Sequence, residues 1–584
     1  MGRWVPPAAI AIAALVLLFG ALGRADLFNP DEPREAEIAR EMGASGDHLV
    51  PRLNGDPFLE KPPLFYWLVC GAYAVAGGPG ELPARFPPAL CGFLAVALTW
   101  LLGRDLVGER GALLAAVVLL TSFQFLWTSR RCMIDMPLTL AVLLACMALE
   151  RSTRSTGPAR PWWLVVFSLS VAAAVFLKGI VGAGIPALAL AGSLAARRDW
   201  RGIVRPGILA AGLGALMPVG AWVLALGLRL GSGAVLDLVW VNNVLRFVGG
   251  AAKGHVQPWY YYVPTLLTDF APWSLVLPFV LVSAAIAILR TPDQERGRLL
   301  FLVSWLVVPF LVLSIASTKR GIYLLPLYPA AALLVGWWLA RAVPSRGARI
   351  AGGVLVAVTI VIAALFVSIL VLVRPGDWYA AALACGIFLP LAVGEIAVLR
   401  AGRIDRVALL AAGGVGVVSL GLACLVVPEV VNRHTSPRPA ASQVRRMAEA
   451  GDRLAFYRFK EGSLGAYLFY AGMTVPNLGT PEDLRLHLAV GPVARRGPRS
   501  LALMTEETYD DVAPGLGLST SIVWRFRSGL TPEWSASGSG PPRLAMRQTE
   551  SIVLVAAGGD GRAPASLRTD EEASDPSEHP DGRS

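Results

Sequence analysis

The chain has 584 residues, of which 55% are hydrophobic and 16% are charged, and its formal net charge is +11. Soluble domains carry about 25% charged residues, which is well above the fraction found here. Together with a mean hydropathy of +0.57, this excludes an ordinary soluble protein. The positive charge is largely arginine in short loops between apolar runs, which says little about nucleic acid. The composition therefore indicates a polytopic α-helical membrane protein.

The apolar runs predict roughly thirteen membrane spans, because about 20 helical residues cross the hydrocarbon of a bilayer. In chain order they lie near 5–23, 86–103, 111–128, 136–150, 162–178, 179–196, 204–228, 264–289, 299–316, 322–341, 350–373, 378–399 and 405–428. The first run is interpreted as a retained helix, because no small-residue cleavage site precedes Asp26. Residues 63–77 form a shorter apolar run, which suits an interfacial or re-entrant helix.

Arginine is concentrated in alternate connectors, and the positive-inside rule assigns those connectors to the cytoplasm. They contain Arg104, Arg110, Arg151, Arg154, Arg160, Arg197, Arg198, Arg201, Arg205, Arg290, Arg296, Arg298, Arg341, Arg346, Arg349, Arg400, Arg403 and Arg406. The intervening short connectors have few cations. This orientation predicts a cytoplasmic N-terminus, with loops 24–85 and 229–263 and everything after residue 429 on the outer side.

Past Pro428, charges become frequent and short β-like runs alternate with helical stretches, which predicts a small soluble α/β domain at 431–557. Residues 558–584 are rich in Gly, Pro, Ser and acids and have no apolar face, so they are predicted to be disordered. The preceding part, 1–430, is predicted to be the transmembrane domain. The six cysteines lie scattered in apolar stretches and are interpreted as small buried hydrophobes.

The first outer loop carries more acids than a connector needs. Asp31 and Glu32 precede an apparent helix at 33–43, where a helix cap accounts for them as well as chemistry does. The apolar stripe of this segment fits a helix on the membrane surface, which would leave Glu37 and Glu41 on its solvated face. The loop therefore predicts interfacial helices and leaves the role of the first two acids open.

Glu60 and Lys61 stand together before Pro62 and Pro63, which force an extended entry into a helix. An acid and a base beside a helix N-terminus suit an anionic head group or a metal, and a plain interfacial ion pair is the alternative.

Other outer segments carry charges with comparable alternatives. Asp135 in "RRCMIDMP" is either functional or an N-cap, and Lys178 is explained by snorkelling. Lys319 and Arg320 lie on the side that the positive-inside rule disfavours, which is typical of cations that bind a phosphate. The aromatic run "WYYYV" is interpreted as an interfacial belt. Two cations and a histidine precede it: Arg246, Lys253 and His255.

At "NPDEPREAEIAREM", "GDHLVPRLNGDPFLEKPPLFYWL", "RRCMIDMPL", "HVQPWYYYVP" and "STKRGIYLLPLYP" the chain resembles the aminoarabinose transferase (ArnT-like) family. That family belongs to the membrane glycosyltransferases with the GT-C fold, which include protein O-mannosyltransferases. The resemblance covers about residues 5–430. It implies about 13 transmembrane helices, an outer C-terminal domain and a periplasmic catalytic loop at 24–85.

The resemblance also implies an activity and its residues. A sugar would pass from a polyprenyl (undecaprenyl) phosphate to lipid A or another envelope acceptor, with no nucleotide, at the periplasmic face of the bacterial inner membrane. Asp31 is then the catalytic carboxylate, Asp135 assists it, and Glu32 lies beside it in sequence. The cations of the lipid phosphate would be Lys61, Arg246, Lys319 and Arg320.

A divalent metal (Zn, Mg or Mn) is a further implication. Glu60 matches a metal-contacting position. The family's His-x-x-Arg-Phe reads "NVLRF" here, with Asn243 at the histidine position, so His255 is the candidate partner.

Two rivals stay open. One is a protein or polysaccharide glycosyltransferase of the same fold, and the other is a transporter of polyprenyl-linked sugars whose outer charges bind a head group without chemistry. The spans have few interior charges, whereas a proton-coupled transporter more often buries carboxylates at mid-membrane.

Overall fold

The computed structural model describes residues 7–27, 30–154, 159–198, 205–245, 256–341, 345–374, 376–490, 499–535 and 543–557. The chain forms two compact units. The first, the transmembrane unit, comprises residues 1–24, 42–51 and 57–429. The second, the C-terminal unit, comprises residues 25–41, 52–56 and 430–584.

The helices follow one another almost without interruption up to the end of the transmembrane unit. In chain order they are α1 (Pro7–Phe19), α2 (Asp31–Ser45), α3 (Leu64–Ala76), α4 (Glu81–Leu120), α5 (Phe123–Ser129), α6 (Asp135–Arg154), α7 (Ala159–Lys178), α8 (Ile180–Ala196), α9 (Pro206–Leu230), α10 (Ser232–Leu236), α11 (Tyr262–Asp269), α12 (Leu277–Arg290), α13 (Asp293–Ile315), α14 (Tyr328–Arg341), α15 (Arg346–Val373), α16 (Trp378–Arg400) and α17 (Ile404–Gly421). A π-helical segment, Asp237–Leu245, follows α10, and a 3₁₀ segment, Gly321–Leu327, precedes α14.

Within the described residues, nine helices are long and apolar enough to cross a membrane. Four shorter apolar helices accompany them: α1, α3, α8 and α12. The longest helix, α4, is bent at Gly108, whose φ of 81° lies in the left-handed region. That bend divides the two runs predicted at 86–103 and 111–128. The run predicted at 264–289 is broken into α11 and α12, so the count of thirteen spans stays a prediction.

Small residues allow the helices of the transmembrane unit to approach closely, as is usual where lipid replaces water. A Cβ at Gly336 of α14 would lie 2.7 Å from the Ala115 nitrogen of α4. The apolar core formed by α6, α7 and α9 likewise contains several alanines beside larger side chains: Ala145, Ala148, Leu149, Phe167, Val171, Ala172, Val175, Ala211 and Ala215.

The C-terminal unit contains a five-stranded sheet with strand order β4-β3-β5-β7-β6. Its strands are β3 (Arg453–Tyr457), β4 (Asn477–Leu478), β5 (Ser500–Thr505), β6 (Thr520–Ser535) and β7 (Arg543–Ala557). β3 is parallel to β4 and β5, whereas β7 is antiparallel to β5 and β6. The central strands are buried and apolar, as in "SLALMT" and "SIVLVAA". Four helices complete the unit: α18 (Arg438–Glu449), α19 (Glu461–Ala471), α20 (Pro481–Ala489) and α21 (Glu506–Val512).

The division into units differs from the predicted boundaries in one respect. The sequence suggested that all of 24–85 belongs to the transmembrane domain. In the structure, residues 25–41 and 52–56 group with the C-terminal unit. The second segment is the tip of a hairpin formed by β1 (Arg52–Leu53) and β2 (Asp56–Pro57), so the outer loop contributes a helix and a turn to the domain that follows the last span.

Candidate functional site

In the transmembrane unit, the structure joins two outer charges that are distant in sequence. Asp135 begins α6 and is 3% exposed, and its carboxylate forms an ion pair with the ammonium of Lys178, the last residue of α7. Each charge lies at the helix end that favours it, because the dipole is positive at the N-terminus and negative at the C-terminus. The Lys178 ammonium also lies 4.2 Å from the centroid of the Tyr323 ring. Snorkelling was therefore the wrong explanation for Lys178.

The segment around Lys319 has a different character from the predicted phosphate site. Lys319 is 2% exposed, and its ammonium donates hydrogen bonds to the Gln257 carbonyl, at 2.9 Å, and to the Ala316 carbonyl. An isolated antiparallel bridge between Val256 and Thr318 joins the same two connecting segments of the chain. Burial lowers the pKa of Lys319 below its ordinary value. These contacts give Lys319 a role in holding two connecting segments together, which argues against a direct contact with a phosphate.

Arg320 directly precedes the 3₁₀ segment, as its N-cap residue, and is half-buried. Its carbonyl accepts a hydrogen bond from the Tyr323 nitrogen at 3.0 Å. Arg320 therefore lies within one turn of the aromatic ring that contacts Lys178, and it remains a candidate cation.

Glu60 and Lys61 lie in the transmembrane unit, directly before the two prolines and α3, as the sequence predicts. Both are half-buried. The Asn242 amide of the π-helical segment donates a hydrogen bond of 3.1 Å to the Leu59 carbonyl, and the Trp67 indole donates one of 2.8 Å to the His48 carbonyl. Side chains thus fix the loop on either side of the Glu60–Lys61 pair.

Two predicted site residues, Arg246 and His255, lie outside the described residues. Within the described part of the chain, no three His, Cys, Asp or Glu side chains converge as a metal site would require. The residues at hand therefore do not define a metal centre, and the divalent metal stays a prediction.

The acids of the first outer loop lie on α2, in the C-terminal unit. Asp31 is its first residue and is 3.2 Å from Arg34, which also contacts Glu35 at 2.8 Å. Glu32 is fully buried. Asp31 is thus part of an acid–arginine–acid group at the N-terminus of a helix, where the dipole favours a carboxylate.

The sequence predicted a solvated face for Glu37 and Glu41, but both side chains are buried in the structure. Glu37 is fully buried and makes two hydrogen bonds of 2.7 Å with Arg40, and burial raises its pKa to about 7 against the opposing effect of Arg40. Glu41 accepts a hydrogen bond of 3.0 Å from the Gly55 nitrogen, and burial raises its pKa as well. The signal for this was in the sequence: a helix that is polar on several faces is a poor membrane-surface helix.

The chain is similar to known proteins in sequence and in fold. A family model described as dolichyl-phosphate-mannose-protein mannosyltransferase matches residues 60–224. The undecaprenyl phosphate-alpha-4-amino-4-deoxy-L-arabinose arabinosyl transferase of Edwardsiella ictaluri is 32% identical over 331 residues, or 55% of this chain and 57% of that protein. Transferase 2 of Proteus mirabilis is 29% identical over 59% of this chain and 62% of that protein. The matches thus span less than two thirds of these relatives.

Solved structures extend the likeness along nearly the whole chain. The crystal structure of ArnT from Cupriavidus metallidurans bound to undecaprenyl phosphate superposes with a TM-score of 0.72 at 24% identity, covering 95% of this chain and 99% of that one. An archaeal oligosaccharyltransferase, AglB from Archaeoglobus fulgidus, superposes with a TM-score of 0.50 at 12% identity, covering 86% of this chain and 69% of that one.

The fold is therefore the GT-C fold of membrane glycosyltransferases, and the predicted fold class is confirmed. The nine long apolar helices of the described residues and the shared fold make the chain a multi-pass membrane protein. Within its class it is similar to the aminoarabinose transferases of the ArnT type, so the resemblance seen in the outer-loop motifs is confirmed as well.

Proposed function

We propose that the protein is an inverting glycosyltransferase that moves a sugar from a polyprenyl (undecaprenyl) phosphate donor to lipid A or another envelope acceptor. The observation that carries the proposal is the likeness to an ArnT bound to undecaprenyl phosphate, which extends along 95% of this chain. The similarity to arabinosyl transferases in sequence supports the same activity.

The proposed chemistry needs cations for the departing phosphate. A sugar on a lipid phosphate already has a good leaving group, so the protein has to stabilise the charge that grows on the phosphate oxygens. Lys61, Arg246 and Arg320 are the proposed phosphate ligands. Asp135, the proposed assisting carboxylate, is held in place at the outer ends of α6 and α7 by its ion pair with the Lys178 ammonium, which lies beside Tyr323.

The acceptor must lose a proton as the new bond forms. We assign this step to Asp31, which removes the proton while the acceptor oxygen attacks the anomeric carbon. Glu32 is the neighbouring acid of the same helix end. One displacement with one carboxylate base inverts the anomeric configuration. A divalent metal held by Glu60 and His255 would add charge stabilisation at the phosphate, and no step proposed here depends on it.

The orientation of the chain belongs to the proposal. The arginine-rich connectors place the N-terminus in the cytoplasm and the C-terminal unit in the periplasm. Reporter fusions that are active only in the periplasm, joined after residue 557 and within the 290–298 connector, should be active and inactive respectively. Activity of the second fusion would reverse the orientation.

The activity is tested in membrane vesicles given a labelled polyprenyl-phosphate sugar. A transferase forms a new glycosidic bond and releases lipid phosphate, whereas a transporter only moves the label between leaflets. Asp31→Asn should abolish transfer and leave donor binding intact, and Asp510→Asn, which removes an exposed acid of α21, is the matched control. Wild-type transfer by the Asp31→Asn protein would refute the assignment.

A protein acceptor is the second candidate. The match of residues 60–224 to the protein mannosyltransferase model is the observation that raises it, whereas the arabinosyl transferase relatives support the first candidate. Mass spectrometry of envelope glycolipids and glycoproteins from a deletion strain and its parent decides between the two acceptors, because only one of the two fractions should lose a sugar.

A further inference from the structure

The first outer loop is held in the C-terminal unit at both ends of its acidic helix. Before α2, the Leu27 nitrogen donates a hydrogen bond of 2.7 Å to the Tyr470 hydroxyl. The Asp26 carboxylate accepts one of 2.5 Å from the Ser436 hydroxyl and is 3.2 Å from the Arg438 guanidinium. These contacts fix the chain immediately before the helix that carries Asp31.

A second set of contacts holds the hairpin tip after α2. The Asn54 amide donates a hydrogen bond of 2.8 Å to the Val475 carbonyl and accepts one of 3.0 Å from the Val475 nitrogen. Asn54 has a φ of 57°, and the next residue, Gly55, donates its backbone hydrogen to Glu41 at the far end of the acidic segment. The tip therefore connects α2 to the chain after α19.

Between these two points, α19 lies directly against the first turn of α2. A Cβ at Gly462 would lie 2.5 Å from the Pro30 Cβ, and one at Gly465 would lie 2.6 Å from the Arg34 Cα. Residues three apart share one face of a helix, so the two glycines form one bare face that accepts the α2 backbone on either side of Asp31. Real Cβ atoms do not approach other atoms so closely, and a methyl group at either position would have to displace α2.

Arg34 connects this packing with the proposed chemistry, because its guanidinium contacts both Asp31 and Glu35. We propose that the C-terminal unit serves to position Asp31, the carboxylate base of the transfer reaction, and that Gly462, Gly465 and Asn54 are its positioning residues. The proposal rests on the proposed function, since it takes Asp31 to be the base. It assigns the unit a part in the chemical step and none in binding the donor phosphate, whose proposed ligands lie in the transmembrane unit.

The test compares Gly465→Ala and Asn54→Gly with Gly479→Ala in the full-length protein. An added Cβ at Gly479 meets nothing within 4 Å, so this variant is the matched control for the first. Asn54→Gly removes the two hydrogen bonds to Val475 and keeps a residue that tolerates a positive φ, so it does not depend on the steric clash. Transfer kinetics are measured with a labelled polyprenyl-phosphate sugar.

We expect the kcat to fall by about 10²-fold in Gly465→Ala, because small misplacements of a reacting group have effects of that size. The donor KM should stay within about twofold of the wild type. Hydrogen exchange should become faster in peptides covering residues 31–41 and stay unchanged in β5, which shows that the helix is released while the sheet remains folded. Asn54→Gly should change the same quantities in the same direction, and Gly479→Ala should change none.

An unchanged kcat in folded Gly465→Ala and Asn54→Gly would overturn the proposal, as would a rise in donor KM with kcat preserved. If Gly465→Ala does not fold, Asn54→Gly decides. The failure of the proposed function has its own signature, namely a wild-type protein that forms no new glycosidic bond from the labelled donor. Transfer that survives Asp31→Asn would refute only the assignment of the base. If instead Asp31→Asn abolishes transfer while the positioning variants stay fully active, the base assignment stands and only the positioning role is lost.

Discussion

Lys178 and Asp135 form an ion pair with a buried carboxylate and a half-buried ammonium side chain, and it joins the C-terminus of α7 to the N-terminus of α6, although 43 residues separate them in sequence. The Lys178 ammonium faces the ring of Tyr323 at the same time. The pair places one carboxylate, one ammonium and one phenol from three different elements at one point of the transmembrane unit.

Asp135→Asn should therefore lower both stability and transfer. It leaves Lys178 as a half-buried charge without its carboxylate, which costs about 3 kcal/mol, and removes a preorganised charge, which costs about 10²-fold in kcat. Thermal unfolding of the purified protein and transfer kinetics measure the two effects. The double variant with Lys178→Met should regain stability and stay inactive. If it regains activity as well, the pair is only structural.

The two predicted phosphate cations Lys61 and Lys319 should behave differently. Lys61→Met should raise the donor KM at least tenfold, because one charge-assisted contact to the phosphate is lost. Lys319→Met should leave the donor KM unchanged and lower the unfolding free energy by about 1–3 kcal/mol, because the Gln257 and Ala316 carbonyls lose their donor. Kinetics and thermal unfolding of both variants check this, and a raised KM in Lys319→Met would return that residue to the phosphate site.

The buried acid Glu37 should make stability depend on pH. Its pKa is raised from 4.5 to about 7, so the folded protein holds this proton more tightly than the unfolded chain. Stability should therefore fall as the pH rises through this window, by up to about 3 kcal/mol. Thermal unfolding of wild type and Glu37→Gln between pH 5 and pH 8 measures it. The variant should show a flatter profile, and the exposed-site control Glu507→Gln should follow the wild type. Parallel profiles for wild type and Glu37→Gln would contradict the shifted pKa.

Gly336→Ala should weaken the packing of α14 on α4. The added methyl group would lie 2.7 Å from the Ala115 nitrogen and 2.8 Å from its Cβ. Both helices have to separate, and overpacking of this kind costs about 1–3 kcal/mol. A lower unfolding temperature in detergent checks this. Gly353→Ala on α15, where a Cβ meets nothing within 4 Å, is the control, and equal temperatures for the two variants would contradict the close approach.

The sequence predicts features that depend on neighbouring residues. Apolar runs predict the helices, and Pro62 and Pro63 predict the extended entry to α3. The alternation after Pro428 predicts the α/β character of the C-terminal unit. Composition is enough for these because each element's own residues decide between lipid and water.

Features that depend on distant partners could not be predicted. Glu37 is buried, and it belongs to a unit most of whose residues lie beyond 430, so its neighbours in sequence do not indicate its environment. Lys178 has no acid beside it in sequence, and only the packing of α6 and α7 supplies one. The sequence predicts a phosphate ligand at Lys319 because a cation is unusual on the outer side. In the structure its ammonium donates hydrogen bonds to backbone carbonyls, and no sequence pattern indicates those partners.

The distance along the chain between Asp26 and Asn432, which is 406 residues, has a consequence for biosynthesis. A ribosome working at about 20 residues per second needs roughly 20 s to make the second partner after the first has emerged. During that interval the nascent chain lacks the residues that complete the surroundings of its acidic helix. The order of translation therefore delays the positioning of Asp31, the proposed base, until the C-terminal unit has been made.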